Sequence, residues 1–393
     1  MFCIETEHFN LNRILLLSIG LWPYKRSIFV RLQGILFFSI LSSFVILQLI
    51  TLTIKKCTFD FFVKVCCTTI FFSIFAITYN MFWINTHSVK NLLDQLQYIC
   101  NELKNEKEIA IITKYGNNAK RCTTIITSFA TCSTFIATLL PVWPQILHIV
   151  LHKNESQSRP TIQLVPEYFD QEKYFYLLVF HINTVICIGA ITATATATML
   201  LGWIIYICGL FRVVSYRIEQ AMTIEVLRNI HLENETVIYK EISDAIEIHC
   251  KTIKFSEFFS STFQGSFFIL ISIGVISLSM NFFGVFQNLG QGNTESLILH
   301  IIGITVILIY MFIANYAGQE VTNHNNHIYF TAYNSRWYVA PLHAQKMLLF
   351  ILQRSNKNFY INIGGIIAIS LECFAALTKL SMSYFTVMYS MHE

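Results

Sequence analysis

The stretch Ser296–Ala317, SLILHIIGITVILIYMFIANYA, runs for 22 residues without an Asp, Glu, Lys or Arg. As a helix it is about 33 Å long, enough to cross a bilayer core of roughly 30 Å. Working outward from it, comparable apolar segments lie at Ile28–Leu52, Phe61–Ile84, Cys122–Val150, Tyr174–Phe211, Phe255–Phe286 and Ile361–Tyr389. Seven spans account for most of a 393-residue chain that is 54% hydrophobic and only 13% charged. Soluble domains carry roughly 25% charged residues, so this composition excludes an ordinary soluble enzyme, and 34 Phe exclude disorder. The fold class expected is an all-α membrane protein of seven transmembrane helices. The run Thr192–Thr198 offers small surfaces for close helix packing inside the fourth span.

Lys and Arg set the direction. With the N-terminus cytoplasmic, 20 of the 27 basic residues fall inside and six outside, so the C-terminus is expected to be extracellular. The sequon Asn154-Glu155-Ser156 then sits in an outer loop, in agreement, whereas Asn234-Glu235-Thr236 is cytoplasmic and should stay unmodified. The apolar run Ile14–Gly20 is short and follows Glu5 and Glu7, so no cleaved signal peptide is expected.

The cytoplasmic connections are patterned. Ile238, Ile242, Ile246, His249 and Ile253 recur at helical spacing, predicting an amphipathic helix that continues into span five. Residues 318–354 predict a cytoplasmic helix leading into span seven. Such half-apolar faces need cover, which points to an oligomer.

Enzyme chemistry has no visible carrier: H-E-x-x-H, G-x-S-x-G and a phosphate-cradling glycine loop are all missing, so neither enzyme activity nor a cofactor is expected. His148 and His152, and His324 and His327, have metal-ligand spacing, but the topology puts the pairs on opposite sides and no metal site is expected. No basic run suggests nucleic acid. Ionisable residues within spans are the default functional candidates, and Glu372 and Lys379 stand out on one face of the last helix with Ser383, Val387 and Met391. That face reads either as a polar packing seam or as the wall of a water-filled path. Ser390 lies beside it. Phe71, Phe75, Thr134, Phe135, Thr138, Phe180, Asn183 and Phe283, in the outer halves of the spans, are the candidate lining of a pocket for an apolar ligand with one or two polar anchors.

The C-terminal quarter carries a specific pattern: Gly318-Gln319, Tyr333, Trp337, Pro341, Lys346, Leu349, Arg354-Ser355, Lys357, Phe374, Leu377, Lys379, Ser381 and Ser383-Tyr384-Phe385-Thr386. In order and spacing it resembles the signature of insect odorant receptors. Cys208-Gly209-Leu210-Phe211, His249-Cys250 with Phe255, Phe258 and Phe259, and Leu11-Asn12-Arg13 with Gly20-Leu21-Trp22-Pro23 look like weaker marks of the family, the last as in ant and bee receptors.

The resemblance implies a subunit of a ligand-gated, non-selective cation channel in the plasma membrane of olfactory sensory neuron dendrites. It implies a heterotetramer with a co-receptor subunit, opened by a small apolar odorant, pheromone or hydrocarbon. In that frame residues 1–317 form a six-helix ligand-binding region, 318–360 an intersubunit anchor and 361–393 the pore-lining helix. The extracellular gate then falls on Val387 and Met391, with Ser383 and Ser390 supporting hydration. The short connection between spans four and five resembles that of tuning subunits rather than of the co-receptor. Alternatives are a G-protein-coupled type, which needs the opposite orientation and shows neither D-R-Y nor N-P-x-x-Y here, and a gustatory-type seven-helix chemoreceptor.

Overall fold

The computed structural model describes residues 7–25, 27–54, 59–139, 171–223, 232–291, 294–355, 359–365 and 367–392. Among them are α1 (Asn10–Ser18), α2 (Ile28–Ile54), α3 (Phe59–Ile84), α4 (Thr86–Asn101), α5 (Glu106–Leu139), α6 (Gln171–Ala221), α7 (Leu232–Gln291), α8 (Thr294–Asn334), α9 (Leu342–Ser355) and α10 (Leu371–His392). Helices α2, α3, α5, α6, α7 and α8 are long and apolar enough to cross a membrane. The seventh, α10, has 22 residues and is more polar, carrying Glu372, Lys379 and several Ser and Thr.

The helices overrun the expected spans, by far the most toward one end of the bundle. Helix α7 has 60 residues, about 90 Å of rise, so its first half projects far beyond any bilayer. Ile238, Ile242, His249 and Ile253 are buried there, as the amphipathic pattern predicts. Helix α5 starts at Glu106 rather than Cys122, and α6 continues past Phe211 to Ala221. Residues 140–150, His148, His152 and the Asn154 sequon lie outside the described residues. This end, which gathers α4, α9 and the overrunning parts of α5 to α8, is here called the charged end, and the other the apolar end.

Two expectations are corrected. Residues 318–354 are not one separate helix: α8 runs straight through Gly318 to Asn334, a single 3-10 turn follows at Trp337–Val339, and α9 begins after Pro341. The last helix does not begin at Ile361, because Asn362–Ile363 and Ile367–Ala368 pair as a small antiparallel hairpin, β1 and β2. Gly364 and Gly365 at its tip have φ of 61° and 72°, a conformation that costs other residues dearly. The hairpin roots α10 in its neighbours: the Ser260 hydroxyl donates to the Asn362 carbonyl and Thr322 to that of Phe359 (3.0 Å).

The core is built around α6. Trp203 is fully buried, stacked with Phe82 and Phe263 at 6.2 and 6.0 Å and edge-on to Phe259. Thr192, Thr196 and Thr198 turn their hydroxyls onto carbonyls four residues back, so the Thr-Ala run presents small, satisfied surfaces for close approach. Helix α1 closes this core, where Asn12 donates to Thr198 Oγ1 (3.0 Å) and accepts from Thr123 (3.3 Å).

Candidate functional site: the apolar end and a bare helix face

At the apolar end α6 packs against α2 and α3 on one side and α5 on another. Phe71 and Phe75 stand edge to face at 5.4 Å on α3, half-buried, and Phe72 sits between them and Phe44 of α2. Phe75 lies where a Cβ on Gly189 of α6 would be, 2.2 Å away, so only glycine admits this ring against the helix. Asn183, six residues and about 9 Å of rise nearer the apolar end, reaches α5 through Nδ2, which donates to the Thr138 carbonyl at 3.4 Å. Its Oδ1 is buried and has no partner among the described residues. Thr134, half-buried, spends its hydroxyl on the Ala130 carbonyl.

The predicted pocket set does not all converge. Phe71, Phe75, Thr138 and Asn183 belong to this region. Phe135 and Phe180 are 65% and 74% exposed on outward faces of α5 and α6. Phe283 is buried in a separate cluster with Val63, Cys67, Met280 and Phe385, between α3, α7 and α10. Sequence reasoning missed Ser43 and His181, whose Oγ and Nε2 lie 3.0 Å apart and link α2 to α6 beside Phe44. A histidine inside an apolar span was the available signal.

Helix α10 is two-faced. One side packs on α7 and α8: Ser279 donates to the Ser381 carbonyl (2.9 Å), Phe385 stacks with Phe286 at 4.9 Å, and Phe374 meets Phe312 at 5.6 Å. The other side carries Glu372, Lys379, Ser383, Val387, Ser390 and Met391, all exposed in the single chain, Val387 to 54% and Met391 to 82%.

The charged end is tightly tied. Arg217 of α6 makes a two-pronged ion pair with Glu108 of α5, 2.6 and 3.0 Å, and donates to the Asp244 carbonyl of α7 at 2.9 Å. Lys251 of α7 reaches Glu102, after α4, at 2.5 Å and Glu247 at 2.7 Å. Burial works against ionisation of Glu102, but the Lys251 ammonium and the Tyr98 hydroxyl outweigh it and hold the carboxyl below its usual range. The histidines with metal-like spacing have other partners: His324 Nε2 lies 2.8 Å from the Tyr115 hydroxyl, and His327 Nδ1 3.2 Å from Ser215 Oγ.

A family profile described as 7tm Odorant receptor matches residues 58–382. The chain is 26% identical over 160 residues to Odorant receptor 33c of Drosophila melanogaster, covering 40% of this chain and 41% of that protein. With Odorant receptor Or1 of Anopheles gambiae it shares 24% over 162 residues, 40% and 37% of the two chains. These alignments thus span about two fifths of each relative's length. The fold is similar to the solved insect olfactory receptor OR5 from Machilis hrabei in complex with eugenol, with a TM-score of 0.76, 15% identity and 97% of both chains covered. With the family profile covering most of its length and the helices in the same arrangement, the chain belongs to the 7tm odorant receptor family and is a multi-pass, all-α membrane protein.

Proposed function

We propose that this chain is the tuning subunit of a ligand-gated, non-selective cation channel, assembled with an odorant receptor co-receptor as a heterotetramer in the plasma membrane of olfactory neuron dendrites. A small apolar odorant, pheromone or hydrocarbon binds at the apolar end, which is extracellular, and the channel opens along α10. The N-terminus and the charged end are cytoplasmic, in line with the basic-residue asymmetry.

The observation that carries this reading is the two-faced α10. A helix packed on one side and carrying Glu372, Lys379, Ser383, Val387 and Ser390 on the other is a poor lipid contact, since charge in hydrocarbon costs several kcal/mol. Around a symmetry axis, the same face lines a water path. Val387 and Met391 close it by dewetting, and Ser383 and Ser390 support hydration when it widens. In the assembly, residues 1–317 bind ligand, 318–360 hold subunits together through exposed Phe330, Tyr333, Tyr338, Leu349 and Phe350, and 361–393 line the pore.

The test is Val387→Cys, co-expressed with co-receptor and challenged during ligand-evoked current with a water-soluble thiol reagent. Block of the open channel is expected. Unchanged current despite surface expression and labelling of Ser390→Cys rejects the gate. Epitope tags on intact cells check orientation, only the C-terminal tag being reached.

A further inference from the structure

Two charges on α10, Glu372 and Lys379, take no part in the proposed gate. The helix docks through Phe374, Leu377, Ser381, Phe385 and Met388, the stripe that meets α3, α7 and α8. At 3.6 residues per turn, Glu372, Lys379, Ser383 and Ser390 fall within about 40° of one another on the side opposite that stripe. All four are exposed in the single chain.

Lys379 makes no ion pair among the described residues. Glu372 stands seven residues away, about 10.5 Å of helix rise, and the two do not meet. Glu372 also lies in the first turn of α10, where the open N–H groups of the helix favour a carboxylate, so its charge is answered without the lysine. In the other direction Val387 lies eight residues, about 12 Å, beyond Lys379. The lysine is therefore a lone ammonium in the middle third of the helix, on a face too polar for lipid.

A fixed positive charge beside a water path repels a divalent cation twice as strongly as a monovalent one at the same distance, since Coulomb energy scales with the charge of the ion. Rings of Lys and Arg suit pores for anions, so a lysine in a cation path works against the most highly charged ions first. We infer that Lys379 is the side chain of this subunit that discriminates among cations, passing Na⁺ and K⁺ and holding back Ca²⁺ in a pore that otherwise does not choose between them. This rests on the reading that α10 lines the pore, and it names the specificity-determining residue within that reading.

The experiment measures reversal potentials in cells that co-express the full chain with co-receptor, with CaCl₂ outside and NaCl inside. The channel is opened by the most effective member of a panel of straight-chain alcohols, esters and hydrocarbons. Lys379→Gln is expected to raise the Ca²⁺ to Na⁺ permeability ratio at least about twofold, the difference one unit charge makes between the two ions at about 8 Å even in bulk-water dielectric. Lys379→Glu should raise it further, and Lys379→Arg should keep the parent's ratio. A side chain that only packs would alter channel number or ligand potency and leave the ratio alone.

A ratio unchanged or lowered in Lys379→Gln and Lys379→Glu overturns the inference, because a partner then neutralises the ammonium or it faces away from the ions. Failure of Lys379→Gln, Lys379→Glu and Lys379→Met all to reach the surface overturns it too, since a side chain that faces water loses its charge without harm to folding. In both cases the parent's current leaves the proposed channel standing. Absence of cation current from the parent with every member of the panel overturns the inference together with the reading beneath it.

Discussion

The two ends of α6 are built on different principles. Toward its C-terminus, Trp203, Tyr206, Leu210, Phe211 and Val214 are fully buried and Arg217 is locked to two other helices. Toward its N-terminus, Tyr176, Leu177 and Phe180 are exposed, and the polar contact to α5 is a single 3.4 Å bond with one amide oxygen unused. One end is held by charge, while the other buries Leu178, Ile182, Val185 and Ile188 with little polar anchoring. The charged ties therefore lie where the helices leave the membrane, and the contacts at the opposite face are apolar apart from a few hydrogen bonds. A membrane helix gains little from burying Leu against Leu when lipid is equally apolar, so firm association comes from charged pairs, aromatic stacks and small-residue seams. The charged pairs are gathered at the charged end, whereas aromatic clusters stand at both ends.

The hardest way to break this contrast is to strike Arg217. Its side chain and that of Glu108 are 12% and 4% exposed. Arg217→Ala leaves a carboxylate buried without its partner, a loss of about 3–5 kcal/mol. The expected outcome is near-complete retention inside the cell and a sharply lower Tm of the detergent-solubilised chain. Glu108→Gln, which keeps shape and a hydrogen-bond acceptor, should be milder. An Arg217→Ala chain as stable as the parent would mean that the charged end does not carry the fold.

How much of this is visible in the sequence follows from the same physics. Long apolar runs identify spans because length and hydropathy are local, and the Ile238–Ile253 face is legible because periodicity is local too. The face of a span is harder. In a membrane, lipid and protein select the same side chains, so Phe135 and Phe180 read like Phe71 and Phe75 although the first two face outward and the second two face inward. The Arg217–Glu108 pair joins residues 109 apart in the chain, and nothing in either neighbourhood announces the other. The hairpin before α10 was legible, since Gly364-Gly365 between two Ile-containing pairs is a turn signal; it was hidden by the apolar character of the residues around it.

At the apolar end substitutions should alter response rather than stability. Gly189→Leu puts side-chain atoms where Phe75 now lies and should displace the ring. Phe75→Ala opens space beside Gly189 and removes apolar contact worth about 1–2 kcal/mol to a ligand that rests on the ring, a shift of about tenfold in half-maximal concentration. Both variants should reach the surface, with maximal current held within about twofold if coupling is intact. A collapse of surface expression for Phe75→Ala, with no change in potency among the channels that remain, would move Phe75 from the ligand to the core and erase the contrast.

The smallest effect belongs to the exposed partner of the charged end. Lys251 and Glu102 are 25% and 32% exposed, so solvent screens their attraction and the pair contributes at most about 1 kcal/mol. Its pH dependence has a definite sign. The folded carboxyl of Glu102 sits below its unfolded range, so the stabilisation is complete above that range, near pH 4.3, and declines as pH falls through the lowered folded value. Glu102→Gln should therefore trim Tm slightly and equally at every pH from about 5 to 8, and the difference from the parent should shrink only in more acidic buffer. Loss that begins nearer pH 6.5 has another source: burial depresses the pKa of His8, beside the Tyr206 hydroxyl at 2.5 Å, so the unfolded chain gains a proton there first. Comparing Glu102→Gln with the parent across that window separates the two, because the His8 component, present in both chains, cancels in the difference and the Glu102 component does not. If Glu102→Gln instead costs as much as Arg217→Ala at neutral pH, exposure is a poor guide to which pair holds this end together, and the division between a fixed end and an adaptable one must be redrawn from energies rather than from burial.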